Sequence, residues 1–267
     1  MRPAGAALSL IDLLKFRDWL DDGPRDLELQ DFVFASVLGG DWRSFADIAR
    51  RQLEGYEGRL GIHGPFSGFE IDARDPDVRE VVARRLDQAL DVCDAIGARL
   101  MVIHSPFRAW DAANMPLKRR GWEERVEAVH RAIGAAVKRA EALGIRLAIE
   151  NIQDNDPALR VRLAESFASP AVGVSVDTGH ALWCHHQTGA PPVDEFIRIA
   201  GKHLFHVHFQ DADGWADRHW KLGDGILRWP PILRAIAETG ADPHLILELH
   251  DPAGIRASAE LLDRMRA

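Results

Sequence analysis

The sequence predicts an α/β fold, a (β/α)8 barrel forming a single domain over residues 1–267. Three observations lead there. Short apolar runs alternate with longer helical patterns, which implies a parallel sheet. Successive apolar runs end on His, Asp or Glu, and a barrel gathers its strand ends at one mouth. No glycine-rich phosphate loop follows the first strands, as an open doubly wound sheet usually shows. The 267 residues also suit the fold, since eight β/α units need roughly 250.

The elements follow in order. Ala6 to Leu10 reads as the first, weak strand, with Ile11 to Leu20 as a short helix. Leu27 to Phe34 is the second strand, followed by a helix from Asp41 to Glu54. Arg59 to His63 is the third strand, and the apolar spacing of Val78, Val81, Val82, Leu86, Leu90 and Cys93 predicts a helix running to Ile96. It stops at Gly97, a C-cap. Leu100 to His104 is a strand, and Trp122 to Leu143 a long helix stopped by Gly144. The remaining strands are Arg146 to Glu150, Val172 to Asp177, Leu204 to Phe209 and His244 to Glu248. Their helices are Pro157 to Ala168, Val193 to Ala200, Pro230 to Thr239 and Ile255 to Met265.

Composition narrows the function classes. The 33 Lys+Arg against 41 Asp+Glu give a formal charge of −8, which argues against a nucleic-acid partner, since such proteins usually carry a basic footprint. Cys93 and Cys184 form no Cys-x-x-Cys pattern and no disulfide framework. No run approaches the roughly 18 to 20 apolar residues of a membrane span. The run from Ala6 to Ile11 meets Asp12 at once and lacks a signal-peptide layout. A cytoplasmic protein without a membrane partner is expected. Barrels of this class often pair, so a homodimer is compatible with the sequence.

The chemistry lies in the strand endings. His63, His104, Glu150, Asp177, the His206-Val207-His208 pair and Glu248 close six consecutive strands. Carboxylates converging in a desolvated cavity would repel and take up protons, and a divalent cation removes that penalty. Asp177-Thr-Gly-His180 and Asp217-Arg-His219 each offer two further ligand-type residues. Taken singly, each has an ordinary reading: a strand-end histidine is more often a hydrogen-bonded core group, and Asp177 would serve equally as an N-cap. The coincidence across six strands carries the inference. Either His206 or His208 could face the ion; His208, nearer the strand's C-terminal end, is expected to do so, with His250 a weaker outsider. His185, His186, His203 and His244 read as structural or exposed.

These residues resemble the xylose isomerase-like TIM barrel superfamily, which includes sugar phosphate isomerases and epimerases and is related to endonuclease IV. The matching pieces are Ile62-His63-Gly-Pro-Phe66, Val102-Ile103-His104, Ala148-Ile149-Glu150-Asn151, Val176-Asp177-Thr-Gly-His180, His206-Val-His208-Phe-Gln-Asp211, Asp217-Arg-His219 with Leu222-Gly223-Asp-Gly225, and Leu247-Glu248. In the isomerase branch the resemblance implies one divalent ion, Mn²⁺ or Zn²⁺, on Glu150, Asp177, His208 and Glu248. In the endonuclease branch it implies up to three zinc ions, adding His63, His104, His180, Asp217 and His219. The sequence departs from the endonucleases in Asn151-Ile-Gln-Asp-Asn155, in Gly179 where they usually carry cysteine, and in having a single tyrosine, Tyr56.

The expected activity is isomerisation or epimerisation of a sugar, sugar phosphate or related polyol ketone by metal-stabilised enediolate proton transfer. Glu150 and Glu248 are the catalytic residues, one removing the proton beside the carbonyl and the other returning it. Phe66, Trp110, Trp183 and Lys221 are the expected substrate contacts, with Phe107 and Trp215 as further walls and Arg108, Lys118, Arg119 and Arg120 as further cations; packing and solvation are the plain alternatives for each. The competing reading is a multi-zinc phosphodiesterase acting on abasic DNA, in which Glu150 bridges metals. A third is a non-catalytic metal-binding barrel, which predicts degraded ligand positions.

Overall fold

In a computed structural model describing residues 2–266, eight parallel strands close into a barrel in the order β1 to β8, with β1 paired to both β2 and β8. The strands are β1 Gly5–Leu8, β2 Leu27–Leu29, β3 Leu60–His63, β4 Leu100–His104, β5 Arg146–Glu150, β6 Val172–Asp177, β7 Leu204–Phe209 and β8 His244–Leu247. The helices are α1 Leu10–Asp21, α2 Ala35–Gly39, α3 Trp42–Gln52, α4 Pro76–Ile96, α5 Ala109–Asn114, α6 Gly121–Leu143, α7 Pro157–Ser166, α8 Thr178–Thr188, α9 Val193–Ala200, α10 Trp229–Glu238 and α11 Ile255–Arg266.

Local chemistry sets the main boundaries. Ser9 caps α1 by accepting from the Asp12 amide, so the first strand ends at Leu8 rather than Leu10. Asp75 caps α4 with Pro76 at its first turn, and Gly97 ends it in the left-handed region at φ 79°. Further expectations need correction. The second strand does not reach Phe34: it ends at Leu29 and the chain coils into a short 3-10 turn, Asp31–Val33, whose Asp31 carboxylate accepts the Leu10 amide. The segment after β4 contains α5, and β6 runs directly into α8; neither helix is expected from the sequence.

The larger core lies between barrel and helices. Leu27, Leu29, Ile62, Met101, Ile103, Leu147, Ile149, Val174, Val176, Val207, Phe209, Leu245 and Leu247 face outward into it. Alternate residues face inward. Near the strand starts a small separate cluster, Leu100, Val102 and Ala148 with Phe205 packed on it, fills the barrel. A register shift at Val174/Ser175 against β7 brings Ser175 opposite His206 and Asp177 opposite His208. The polar inward residues therefore stack as a column that rises to the C-terminal mouth, where active sites of this fold sit. Among the described residues no helix is long and apolar enough to cross a membrane.

Candidate metal centre

The column ends in three linked groups of side chains. Glu150, Asp177, His208 and Glu248, carried by or just beyond β5 to β8, offer ligand atoms all within 4.8 Å of one another. His208 Nδ1 lies 2.7 Å from Glu150 Oε1 and 3.4 Å from Glu248 Oε2. On one flank His63 and His104 point Nε2 at Glu150 Oε2, at 3.5 and 3.6 Å. On the other, His180 and His219 point Nε2 at the Asp217 carboxylate, at 3.3 and 3.0 Å. The structure thus brings together all nine expected ligand positions, divided between a central group and two wings.

The wings are oriented by the main chain. His63, His180 and His219 each turn Nδ1 toward a backbone carbonyl, of Gly64, Asn151 and Glu248, at 2.9, 2.9 and 3.1 Å. A carbonyl only accepts, so Nδ1 of each ring carries a proton and Nε2 is the nitrogen left to the site, a lone-pair donor once its own proton is lost. His219 itself sits at φ 47°, a left-handed conformation that non-glycine residues seldom adopt. It is held there by its amide donating to Gln210 Oε1 at 2.8 Å and its carbonyl accepting from His250 at 3.0 Å. The loop carrying Asp217 and His219 is closed at its base by paired backbone hydrogen bonds between Asp211 and Trp220. The Asp211 carboxylate then accepts amides of Gly223 and Leu227 at 2.8 and 3.1 Å.

Gln210 and Gly179 are a matched pair. Gln210 donates Nε2–H to Asp177 Oδ1 and to Asp217 Oδ1, at 3.1 and 3.0 Å, and so joins the central group to a wing. A Cβ on Gly179 would stand 2.3 Å from Gln210 Cδ. Glycine in the Asp177-Thr-Gly-His180 motif makes room for that amide. Asp177 is both an inward carboxylate and the N-cap of α8, accepting the His180 amide at 2.6 Å.

The electrostatics are those of crowded charges out of water. Burial alone would raise the Glu150 carboxyl, but His208, His63 and His104 outweigh it and hold Glu150 well below its usual range. Asp177 is pushed up to about 6, first by burial and then by the neighbouring Glu150 and Glu248 carboxylates, despite His180. His104 is lowered to about 3 by burial and by the other imidazoles. For His219, burial is outweighed by Asp217, Glu248 and Asp177, which raise it to about 9. Glu150 Oε2 is buried and accepts no hydrogen bond. An orphaned carboxylate oxygen faced by the Nε2 atoms of His63 and His104 fits a divalent cation.

The four expected substrate contacts fare differently. Phe66 stacks on His104, ring centroids 4.0 Å apart, and lines a cavity of about 360 Å³ beside the metal groups together with Phe69, Phe107 and Arg108. Arg108 pairs with Glu70 at the same cavity. Trp110, Trp183 and Lys221 do not line it. Trp110 is 74% exposed on α5, Trp183 packs half-buried against the core, and Lys221 pairs with Asp224 at 3.1 Å. Of the other histidines, His206 and His244 are buried inside the barrel, and His185 and His186 are exposed. Sequence reasoning missed Glu28. It reaches inward from β2, 1% exposed, with its Oε1 3.0 Å from His208 Nε2. Its one signal was a carboxylate amid the apolar Leu27-Glu-Leu29 strand.

The xylose isomerase-like TIM barrel family matches residues 31–265. The chain belongs to that family. This xylose isomerase-like barrel is 23% identical over 215 residues to the uncharacterized protein MJ1311 of Methanocaldococcus jannaschii, an alignment covering 78% of this chain and 70% of that protein. Among solved structures, the TTHB071 protein from Thermus thermophilus, from a crystal soaked with ZnCl2, is 26% identical with a TM-score of 0.77, covering 98% and 97% of the two chains. A D-tagatose 3-epimerase-like protein superposes with a TM-score of 0.79 at 19% identity, over 99% and 97% of the chains, and shares the fold.

Proposed function

We propose that this xylose isomerase-like barrel is a metal-dependent isomerase or epimerase acting on a sugar, sugar phosphate or related polyol ketone. The observation that carries the proposal is the convergence of Glu150, Asp177, His208 and Glu248 from four strands into a group spanning no more than 4.8 Å between ligand atoms. These four would hold a divalent ion, Mn²⁺ or Zn²⁺. When bound, the ion supplies Lewis-acid polarisation of a carbonyl and its neighbouring hydroxyl. Glu150 and Glu248 belong to strands three places apart around the barrel. They approach a substrate from different sides, one taking the proton beside the carbonyl and the other returning it. Phe66 and Phe107 give the adjoining cavity an apolar wall, and its volume of about 360 Å³ falls in the range of small-molecule sites. The resemblance in fold to a D-tagatose 3-epimerase-like protein supports the substrate class.

The two histidine wings favour a second reading, a multi-zinc phosphodiesterase of the endonuclease IV kind. Several metals sharing Glu150 would stabilise both the attacking and leaving oxygens of a phosphoester. Elemental analysis of protein purified without added metal, followed by assays on ketoses, cyclitol ketones and abasic DNA, separates the two. One exchangeable ion with ketose turnover supports the isomerase. About three zinc ions with strand cleavage supports the hydrolase. Bound metal with neither activity leaves a metal-binding barrel. Glu150→Gln and Glu248→Gln are each expected to abolish turnover while the circular dichroism stays parental; near-parental activity in both removes the proton-transfer mechanism.

A further inference from the structure

His63, His180 and His219 have their ring protons set by backbone carbonyls, but His208 is mounted the other way round. Its Nδ1 faces Glu150 and Glu248, and its Nε2 faces Glu28 Oε1 at 3.0 Å. Glu28 stands on β2, across the barrel from β7, in an interior layer that usually holds branched apolar side chains. A buried carboxylate is costly there unless it is well served with donors. The donors are His208 and Gln30, whose amide reaches Glu28 Oε1 at 2.9 Å and Glu248 Oε1 at 3.0 Å. Glu28 therefore touches one member of the central group directly and a second through Gln30. Its other oxygen, Oε2, lies 3.1 Å from His206 Nε2 without the alignment of a hydrogen bond, and His206 Nδ1 meets Ser175 Oγ at 2.9 Å.

We infer that Glu28 is a positioning residue for the proposed metal centre. It accepts the Nε2–H of His208, so that imidazole presents its Nδ1 lone pair to the space shared with Glu150, Asp177 and Glu248, and through Gln30 it steadies the Glu248 carboxylate. It does for His208 what main-chain carbonyls do for the three wing histidines. Carboxylate–histidine–metal arrangements of this kind fix ring orientation and raise ligand basicity, and their loss typically weakens metal binding about 10- to 100-fold. The inference rests on reading the mouth as a metal centre.

The test uses zinc as the probe on the whole chain, with affinity measured by chelator competition and ring protonation read from ¹H–¹⁵N correlation spectra of the zinc-loaded protein. In the parent, His208 should carry its proton on Nε2 and show a zinc-shifted Nδ1. Glu28→Leu removes the acceptor; zinc binding should weaken about 10- to 100-fold and the His208 signals should split between two tautomers. Glu28→Gln keeps an acceptor oxygen toward His208 and should retain the parental tautomer. Parental zinc affinity in Glu28→Leu, or a parent His208 bound through Nε2, overturns the role of Glu28 while leaving the metal centre intact. A parent that binds no zinc overturns both. Should Glu28→Leu not fold, the spectra of the parent and of Glu28→Gln still decide the matter.

Discussion

Arg160 shows what holds the carboxylates in place. It is wholly buried behind the sheet, donating Nη1–H to the carbonyls of Ile149 and Ser175, one residue before Glu150 and two before Asp177. Its Nε stands 3.2 Å from the equally buried Asp154 carboxylate, which also accepts from Ser105 Oγ and the Ile152 amide. An isolated buried charge costs far more than a paired one. Arg160→Ala should therefore lower stability by about 3–5 kcal/mol, read by urea denaturation, because Asp154 is left alone and two strand carbonyls lose their donor. A loss under about 1 kcal/mol would mean that solvent or a shifted side chain replaces the guanidinium. Because β5 and β6 are clamped just below the mouth, the same variant should also weaken metal binding.

At the scale of elements, α8 turns a strand end into a double-purpose corner. The chain passes from β6 to helix with Asp177 as the hinge, so the carboxylate that caps the helix also faces the site. The first turn of α8 can approach β7 only because residue 179 has no side chain where Gln210 lies. Gly179→Ala should push Gln210 out, costing about 1–3 kcal/mol of stability and freeing Asp177, Asp217 and His219 from their shared amide. If Gln210 is the cause, Gly179→Ala should add little to Gln210→Ala in a double-mutant cycle. Full additivity of the two stability losses would separate the residues.

For the whole molecule, the imidazoles and carboxylates gathered at the mouth make stability depend on pH. Without metal, burial is outweighed at His180, His208 and His219 by the surrounding carboxylates, so all three hold their protons more tightly folded than unfolded. A raised folded value means that the stabilisation is complete below the unfolded value and fades as pH climbs through the folded one. For His219 that window runs from 6.5 to about 9. Asp177, raised from 3.8 to about 6, acts in the same direction over its own lower window. Chelator-treated protein should thus melt at a lower temperature at pH 9 than at pH 6.5. Added Mn²⁺ or Zn²⁺ should restore about 2.7 kcal/mol at a free concentration of about 100 times Kd. The absolute affinity should rise with pH as ligand protons cease to compete. A metal-free melting temperature that is flat or rising over that window would contradict the charge arrangement described.

The sequence by itself determined the barrel and the set of strand endings. Apolar runs, helical spacing and the glycine stops at Gly97 and Gly144 are local signals, and the residue ending a strand of a parallel barrel must lie at its mouth. It did not reveal α8, whose Thr178–Thr188 segment lacks a clear apolar stripe and follows β6 without a loop. It could not tell that, of Phe66, Trp110, Trp183 and Lys221, only Phe66 lines the cavity beside His104, because loop aromatics and cations are indistinguishable until the loops are folded. Above all it passed over Glu28. In Leu27-Glu-Leu29, alternation tells only that Glu28 faces away from the two leucines, which elsewhere would mean solvent. Barrel closure makes that face the interior and sets Glu28 against His208, 180 residues away in the chain. Contacts across a closed barrel depend on shear and register, which belong to all eight strands at once, and only the tertiary structure decides them.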